Sequence, residues 1–318
     1  MKKIIVTGGL GFIGYNLINK LLEVYKEDVE ILNIDNGPTG YKFKGHKHLS
    51  PLFDGYSVDL STINLKKLLD KEEIFFCFHL AAVARIRPSF KRPKLYLKNN
   101  IDSTINIVDY CASRNIPILY AGSSSQLYKD SVNPYTFSKE VCEDIIKMYY
   151  KVNGLNYTVA YFYNVYGDFQ SEEKEYATLI GEWIRCIKNK EDCFIYGDGE
   201  KRRDFTNVSD VVNGLIKIME YQTSSIFDKE EDREFHLGYG KNYSINDIAQ
   251  AFRISPVYLN EIAGETKETL NITKNNLIDF EYKVDVIDWI RNFVLSKQVP
   301  PADRVIREGK DPILNLKR

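Results

Sequence analysis

Along its first half the chain alternates short apolar runs with longer segments in which apolar residues recur every three or four positions. The runs predict strands at Lys3–Val6, Glu30–Asp35, Gly55–Asp59, Ile74–Ala82, Pro117–Gly122 and Thr158–Tyr163. Between them the wider spacing predicts helices over Leu17–Tyr25, Leu65–Leu69, Tyr96–Arg114 and Tyr135–Val152. Strands that alternate with helices imply a parallel sheet covered on both faces. After about Gly167 the rhythm breaks. Helical patterns at Tyr176–Lys188 and Ile245–Phe252 are separated by loops such as Thr223–Arg233. The pattern therefore predicts an α/β chain in three parts. Residues 1–167 form a doubly wound sheet domain, and 168–298 form mainly a smaller lobe with some segments returning to the sheet. Residues 299–318 form an arm with little periodicity.

Composition narrows this little. At 318 residues the chain can bury a sizeable core, and its net charge of -1 points to neither nucleic acid nor an anionic membrane as partner. Met1-Lys2-Lys3 runs straight into the first strand, so no leader peptide is expected, and no apolar run approaches the ~20 residues of a membrane span. Five cysteines form no CxxC pair and are odd in number, which suits buried thiols in a reducing cytoplasm. His46 and His48 lack acidic or cysteine partners, so a solvated loop rather than a metal site is expected there.

The chemistry begins at TGGLGFIG, Thr7 to Gly14, set between the first strand and the first helix. A glycine turn leading into a helix N-terminus makes an anion site. The first backbone N–H groups of the helix have no internal partners, and its dipole adds partial positive charge. Glycines let the backbone approach a pyrophosphate closely. Asp35 ends the second strand, 21 positions beyond Gly14, where a carboxylate would accept hydrogen bonds from a ribose and repel a 2′-phosphate. NAD is the cofactor this implies.

YTFSK, Tyr135 to Lys139, contains the one tyrosine of 22 that is followed by lysine at a spacing of four. Residues four apart share a helix face, so phenol and ammonium point the same way. A cation ~5 Å from a phenol, at an effective dielectric of ~20, contributes ~3 kcal/mol, or about two pKa units. That shift, together with the positive nicotinamide, would make Tyr135 a usable base near neutral pH.

These motifs resemble those of the extended short-chain dehydrogenase/reductase family of nucleotide-sugar epimerases and dehydratases. The resemblance runs from about Lys2 to Phe293, and it implies a Rossmann-type sheet with a C-terminal substrate lobe. TGGLGFIG is similar to the family's TGxxGxxG, Asp59-Leu60 to its adenine-contacting pair, and His79-Leu80-Ala81-Ala82 to its HLAA turn. The resemblance implies that Gly8, Gly11, Phe12, Ile13, Gly14, Asp35, Asn36, Asp59, Leu60, Leu80, Ala81, Ala82, Asn100, Tyr135, Lys139 and Phe162 line the NAD site. AGSSSQLY, Ala121 to Tyr128, resembles SSSxxVY and implies Ser124 as the serine that steadies the reacting sugar oxygen, with Ser123 and Ser125 close by. Asn164 in YNVYG, Arg203 in the GDGxxxRDF-like segment, and Arg87 are implied as substrate contacts.

Departures from the family pattern choose among reactions. Dehydratases and decarboxylating members carry Glu two before the closing tyrosine. Here the residue is Gln126, an amide that cannot move a proton next to a ketone. Only ten residues separate Ser124 from Tyr135, Tyr161 stands where relatives have Arg, and Ile262-Ala263 stand where an arginine is common. The expectation is an NAD-dependent nucleotide-sugar epimerase that inverts C4 through a bound 4-keto sugar and acts as a homodimer. A 4-keto-sugar reductase, a dehydratase or decarboxylase, and a dinucleotide-sensing scaffold protein are the rivals.

Overall fold

The computed structural model describes residues 2–37, 53–128, 132–173, 176–224, 229–261, 266–273, 275, 277–297 and 307–308. The sheet half runs β1 (Lys2–Thr7), α1 (Phe12–Tyr25), β2 (Val29–Asp35), β3 (Phe53–Ser57), α2 (Leu65–Leu68), β4 (Ile74–His79), α3 (Ile86–Lys91), α4 (Pro93–Arg114), β5 (Ile118–Ser123), α5 (Pro134–Asn153) and β6 (Tyr157–Phe162). It continues with β7 (Val165–Tyr166), α6 (Leu179–Asn189), β8 (Phe194–Tyr196), β9 (Arg202–Asp204), β10 (Thr206–Asn207), α7 (Val208–Ser224) and β11 (Glu234–Leu237). The last elements are β12 (Asn242–Ser244), α8 (Ile245–Phe252), β13 (Val257–Leu259), α9 (Val286–Ser296) and β14 (Arg307–Glu308).

The main sheet has the order β11-β6-β5-β4-β1-β2-β3, and every pairing in it is parallel. The chain is a Rossmann-like α/β protein. Ile4, Ile5 and Val6 are all fully buried, which is why β1 reads as a continuous apolar run rather than an alternation. Ile4 and Val6 meet α1 and α7 through Leu17, Leu21, Val211 and Leu215, while Ile5 meets α4 and α5 through Ile107, Val108 and Ile146. Strand order reverses between β1 and β4, and a crevice for ligands opens at the carboxyl ends of strands at such a point. The Thr7–Gly14 turn leaves β1 there, and Leu80-Ala81-Ala82 leave β4 beside it.

Several boundaries differ from the sequence pattern for local reasons. α1 begins at Phe12, because the chain enters helix directly from Gly11 with no polar cap to announce it. α6 begins at Leu179 rather than Tyr176, because the Thr178 hydroxyl caps it by accepting Gly181 N–H. α7 and α9 lie in stretches for which the pattern predicted no helix. After β6 the chain builds a third core around Trp183, Phe205, Phe252 and Ile290, but α7 and β11 rejoin the main sheet. Of the arm at 299–318 only Arg307–Glu308 lies within the described residues, paired with β13. His46, His48, Ile262 and Ala263 lie outside them. All five cysteines are buried free thiols. Among the described residues no helix is long and apolar enough to cross a membrane, and no group of three or more His, Cys, Asp or Glu could hold a metal ion.

Candidate active site

The glycine turn is fixed by contacts that exclude side chains. Gly8 has φ +72°, and a Cβ there would lie 2.8 Å from the backbone of Ala81; one on Gly14 would lie 2.3 Å from Gly8 O. The β1 and β4 turns therefore pack backbone to backbone. A Cβ on Gly11 would meet only Gly8 O, at 3.1 Å, so its other sides are open. α1 starts at that open face with no side-chain cap and no acidic residue in its first turn. Its first N–H groups, at Phe12 and Ile13, are thus available to an anion such as a diphosphate. The residues fit the dinucleotide they were expected to hold.

Asp35 ends β2 beside this turn and accepts a hydrogen bond from Leu10 N–H at 3.0 Å. Burial pushes its carboxyl up, against the pull of N–H bonds from Leu10, Gly37 and Asn36. Asn33, which the sequence reading passed over, ties the turn from below by accepting Gly9 N–H at 2.9 Å. Exposed Asp59 turns the chain by accepting the Ser61 N–H and hydroxyl, while Leu60 is buried. His79 is pinned between Thr7 and Thr104, and the Thr7 hydroxyl also accepts Ala81 N–H. Burial, with Lys139 nearby, pulls its imidazole down to about 3, so it stays neutral and structural. Asn100 accepts Val83 N–H and donates to Val83 O and Ser138 Oγ, joining α4, α5 and the loop after β4. Phe162 closes β6, partly buried against the α1–α7 core.

Tyr135 and Lys139 lie on one face of α5, which starts at an Asn133 cap that accepts Thr136 N–H. The fully buried Tyr96 meets the Tyr135 ring edge-on, with ring centres 6.3 Å apart. Lys139 is buried, with its ammonium 4.1 Å from the centre of the Tyr120 ring, and burial pulls it down to about 8. The phenol of Tyr135 is pushed up by burial rather than lowered, while a hydrogen bond with Ser123 and the charge of Arg85 act the other way. The expectation from Lys139 and the positive nicotinamide left out this desolvation, the largest influence on the phenol.

The hydroxyl that acts on the phenol to lower it is that of Ser123, one position before Ser124. Ser123 also shares a 2.9 Å hydrogen bond with Ser125 Oγ, while Ser124 is buried at the start of a 3₁₀ turn. Gln126 closes that turn. Its Oε1 accepts Ser123 N–H at 2.7 Å, and its Nε2 donates to Glu143 Oε2 at 2.8 Å. Glu143 in turn accepts from Tyr161 and pairs with Lys147.

The lobe residues are engaged with the chain itself. Asn164 donates to Asp204 O and Thr269 Oγ1, and Arg203 donates to the carbonyls of Arg202 and Lys267. Asp204, the residue after Arg203, is fully buried and accepts N–H groups from Tyr239, Gly240 and Asn271, which makes it the pin of the lobe. Arg87 is exposed and lies over the Tyr196 ring at 4.0 Å, which carries it across to β8.

Residues 4–228, most of the chain, match the NAD dependent epimerase/dehydratase family. The chain belongs to that family. Among its relatives is the UDP-glucuronate 4-epimerase of Thermodesulfobacterium geofontis, 28% identical over 91% of this chain and 94% of that protein. A UDP-N-acetyl-alpha-D-glucosaminuronate decarboxylase of Bacillus cytotoxicus is 26% identical over 78% of each chain. A solved structure of similar shape is the UDP-N-acetylglucosamine 4-epimerase of Methanobrevibacter ruminantium M1 in complex with UDP-N-acetylmuramic acid. It superposes with a TM-score of 0.78 at 28% identity, over 93% of this chain and 99% of that one.

Within this epimerase/dehydratase chain, sequence reasoning missed Asn33, Glu143 and Arg85, and left Ser123 open beside Ser124. Glu143 follows Lys139 by four and so falls on the same face of α5, a signal that was available. Arg85 gave no signal of its own. It became visible through its backbone, at φ +95°, and its effect on the phenol.

Proposed function

We propose that the protein is an NAD-dependent nucleotide-sugar epimerase that inverts C4 of a UDP-hexose. The observation that carries this is the pairing of Tyr135 and Lys139 with an amide, Gln126, that is held at both ends and has no proton to move. The N–H groups at Phe12 and Ile13 hold the cofactor diphosphate, and Asp35 holds the adenosine ribose. NAD, when bound, supplies the acceptor that takes up and gives back hydride at C4. Tyr135 takes the proton of the C4 hydroxyl, and Ser123, which lowers the phenol, favours its anionic form. Lys139, cationic at neutral pH with its value near 8, favours the phenolate. Return of the proton from Tyr135 to the other epimer closes the cycle. Relatives named for UDP-sugars support the choice of nucleotide.

The same reading makes the protein a homodimer. Phe137, Val141, Ile145, Met148 and Val152 follow one another at helical spacing along α5, opposite its buried stripe. None of the five is fully buried, and Met148 and Val152 are 46% and 72% exposed. Such a stripe suits a two-fold pairing of helices.

Incubation of UDP-hexoses with the protein in heavy water, followed by NMR, tests the reaction. Inversion at C4 is expected with no net NADH and no deuterium at C4, because the hydride removed is the hydride returned. Accumulation of a 4-keto-6-deoxy sugar, or loss of carbon dioxide from a uronic acid, would overturn the assignment.

A further inference from the structure

Lys139 brings a charge into the packed site, and no carboxylate meets it there. It is 3% exposed, and among the described residues its ammonium makes no hydrogen bond or ion pair. The titratable groups around it come from several elements. α5 supplies Tyr135, Cys142 and Glu143, β4 supplies His79, and β5 supplies Tyr120. From α4 come Tyr96, which meets Tyr135, and the uncharged Asn100, bonded to Ser138. Arg85, before α3, acts on Tyr135, and Tyr161 on β6 bonds to Glu143. Burial keeps His79 and Cys142 neutral. Glu143 is the one carboxylate among these groups, and its oxygens already take Gln126 Nε2 at 2.8 Å, Tyr161 Oη at 2.8 Å and Lys147 Nζ at 2.7 Å. It reaches Lys139 only from a distance.

What the ammonium does touch is the face of Tyr120, with Nζ 4.1 Å from the ring centre. The face of an aromatic ring carries partial negative charge, and its attraction for a cation grows when water is excluded. The ring is itself held. Tyr120 is 1% exposed and pairs in register with His79 of β4, whose ring centre lies 5.7 Å away. His79 is fixed in turn by Thr7 and Thr104. The Tyr120 hydroxyl donates to Lys139 O at 3.4 Å, so one side chain meets the lysine at its backbone and at its charge. A lysine stem is flexible, and an aliphatic residue at 120 would fill the space while leaving the cation without a partner.

We propose that Tyr120 is a positioning residue, whose ring face holds the Lys139 ammonium on the Tyr135 side of α5 and serves in place of a counter-ion. A carboxylate in that role would cancel the charge that favours the phenolate; a ring face steadies the cation and leaves its charge in place. The consequence for turnover rests on the epimerase reading, but the contact itself is tested without substrate.

Lysine labelled with ¹³C at Cε reports its own protonation by NMR, and the Lys139 signal is the one lost in Lys139→Met. The measurement uses the full chain loaded with NAD. Tyr120→Phe keeps the aromatic face and should leave the midpoint of that signal close to the parent's. Trifluorophenylalanine at the same position keeps the shape of the ring but drains its face of negative charge. With it the midpoint should fall by about one pH unit. Inversion of UDP-hexoses near neutral pH should slow several-fold in the fluorinated protein at unchanged KM, because Tyr120 acts through Lys139 alone. A ring that only fills space would give one midpoint in all three proteins, and that result overturns the proposal. A midpoint that falls as expected in a protein that inverts no UDP-sugar would sink the epimerase reading and leave Tyr120 assigned.

Discussion

Gln126 and Glu143 share a 2.8 Å hydrogen bond in which the amide Nε2 donates to the carboxylate. This explains why an amide stands where dehydratases of the family carry Glu. A carboxylate at position 126 would face another carboxylate already bonded to Tyr161 and Lys147, and two such charges cannot both stay ionised cheaply. Gln126→Glu is therefore expected to destabilise the protein by about 1–3 kcal/mol at neutral pH rather than to confer elimination of water. The paired carboxylates raise a folded-state pKa above its unfolded value, so the penalty shrinks as pH falls and one of them protonates. Urea unfolding at a series of pH values checks this; a penalty independent of pH would contradict it.

Ser123 and Ser124 can be separated experimentally. Because Ser123 acts on the Tyr135 phenol to lower it, Ser123→Ala is expected to lower turnover more than Ser124→Ala. Tyr135→Phe should still bind NAD while losing on the order of a hundredfold or more in turnover, the contribution of a positioned base. Steady-state rates with the best UDP-sugar decide the ranking, and the reverse order for the two serines would return the role to Ser124.

How much of this was legible in the sequence depends on what each feature rests on. The Ile4-Ile5-Val6 run, the glycine spacing and the four-residue step from Tyr135 to Lys139 are local, and local geometry turns them directly into a buried strand, a turn and a helix face. Ser123 was not separable from Ser124, because the choice depends on how β5 ends and the 3₁₀ turn begins. The direction of the Tyr135 shift was missed because desolvation is a property of the packed site. Arg85 was invisible because nothing in a sequence reports a positive φ on a residue other than glycine, asparagine or aspartate.

Lys139 couples stability to pH. Burial holds it at about 8, below the 10.5 of a free lysine, so the unfolded chain binds this proton more tightly than the folded one. Below about pH 8 both states carry the proton, and the folded state bears the whole cost of a buried cation. Between 8 and 10.5 the folded state releases it first, and stability from this group rises with pH. Lys139→Met removes the cost. The variant is expected to be more stable than the parent at pH 7, by up to about 3 kcal/mol, with an advantage that shrinks toward pH 10. Paired denaturation curves from pH 7 to pH 10 measure the gap; a gap that stays constant would show that burial of the ammonium is not its origin.

Asp35 is expected to govern the choice between dinucleotides. Its carboxylate holds the turn through Leu10 N–H and would repel a 2′-phosphate, so the two roles need separate variants. Asp35→Asn keeps an oxygen for Leu10 and drops the charge, and should narrow the preference for NAD over NADP by about tenfold, or ~1.4 kcal/mol. Asp35→Ala, which also frees the turn, should weaken both dinucleotides. Fluorescence titration with each gives the ratio, and tighter binding of NADP than NAD by the parent protein would refute the cofactor assignment.

The exposed stripe on α5 makes the last expectation. Met148 and Val152 stand well into solvent beside Val141 and Ile145, while the opposite face of the same helix is buried against α4 and the sheet. In a two-fold pairing each residue of the stripe meets its own copy or a neighbour, so one substitution acts twice. Met148→Glu places two carboxylates in the contact and should convert the dimer to monomer without disturbing the buried face. Light scattering of the parent should give about twice the 36.8 kDa chain mass, and the variant the mass of one chain. A parent that stays monomeric at every concentration would leave this stripe without its partner and remove the dimer from the proposal.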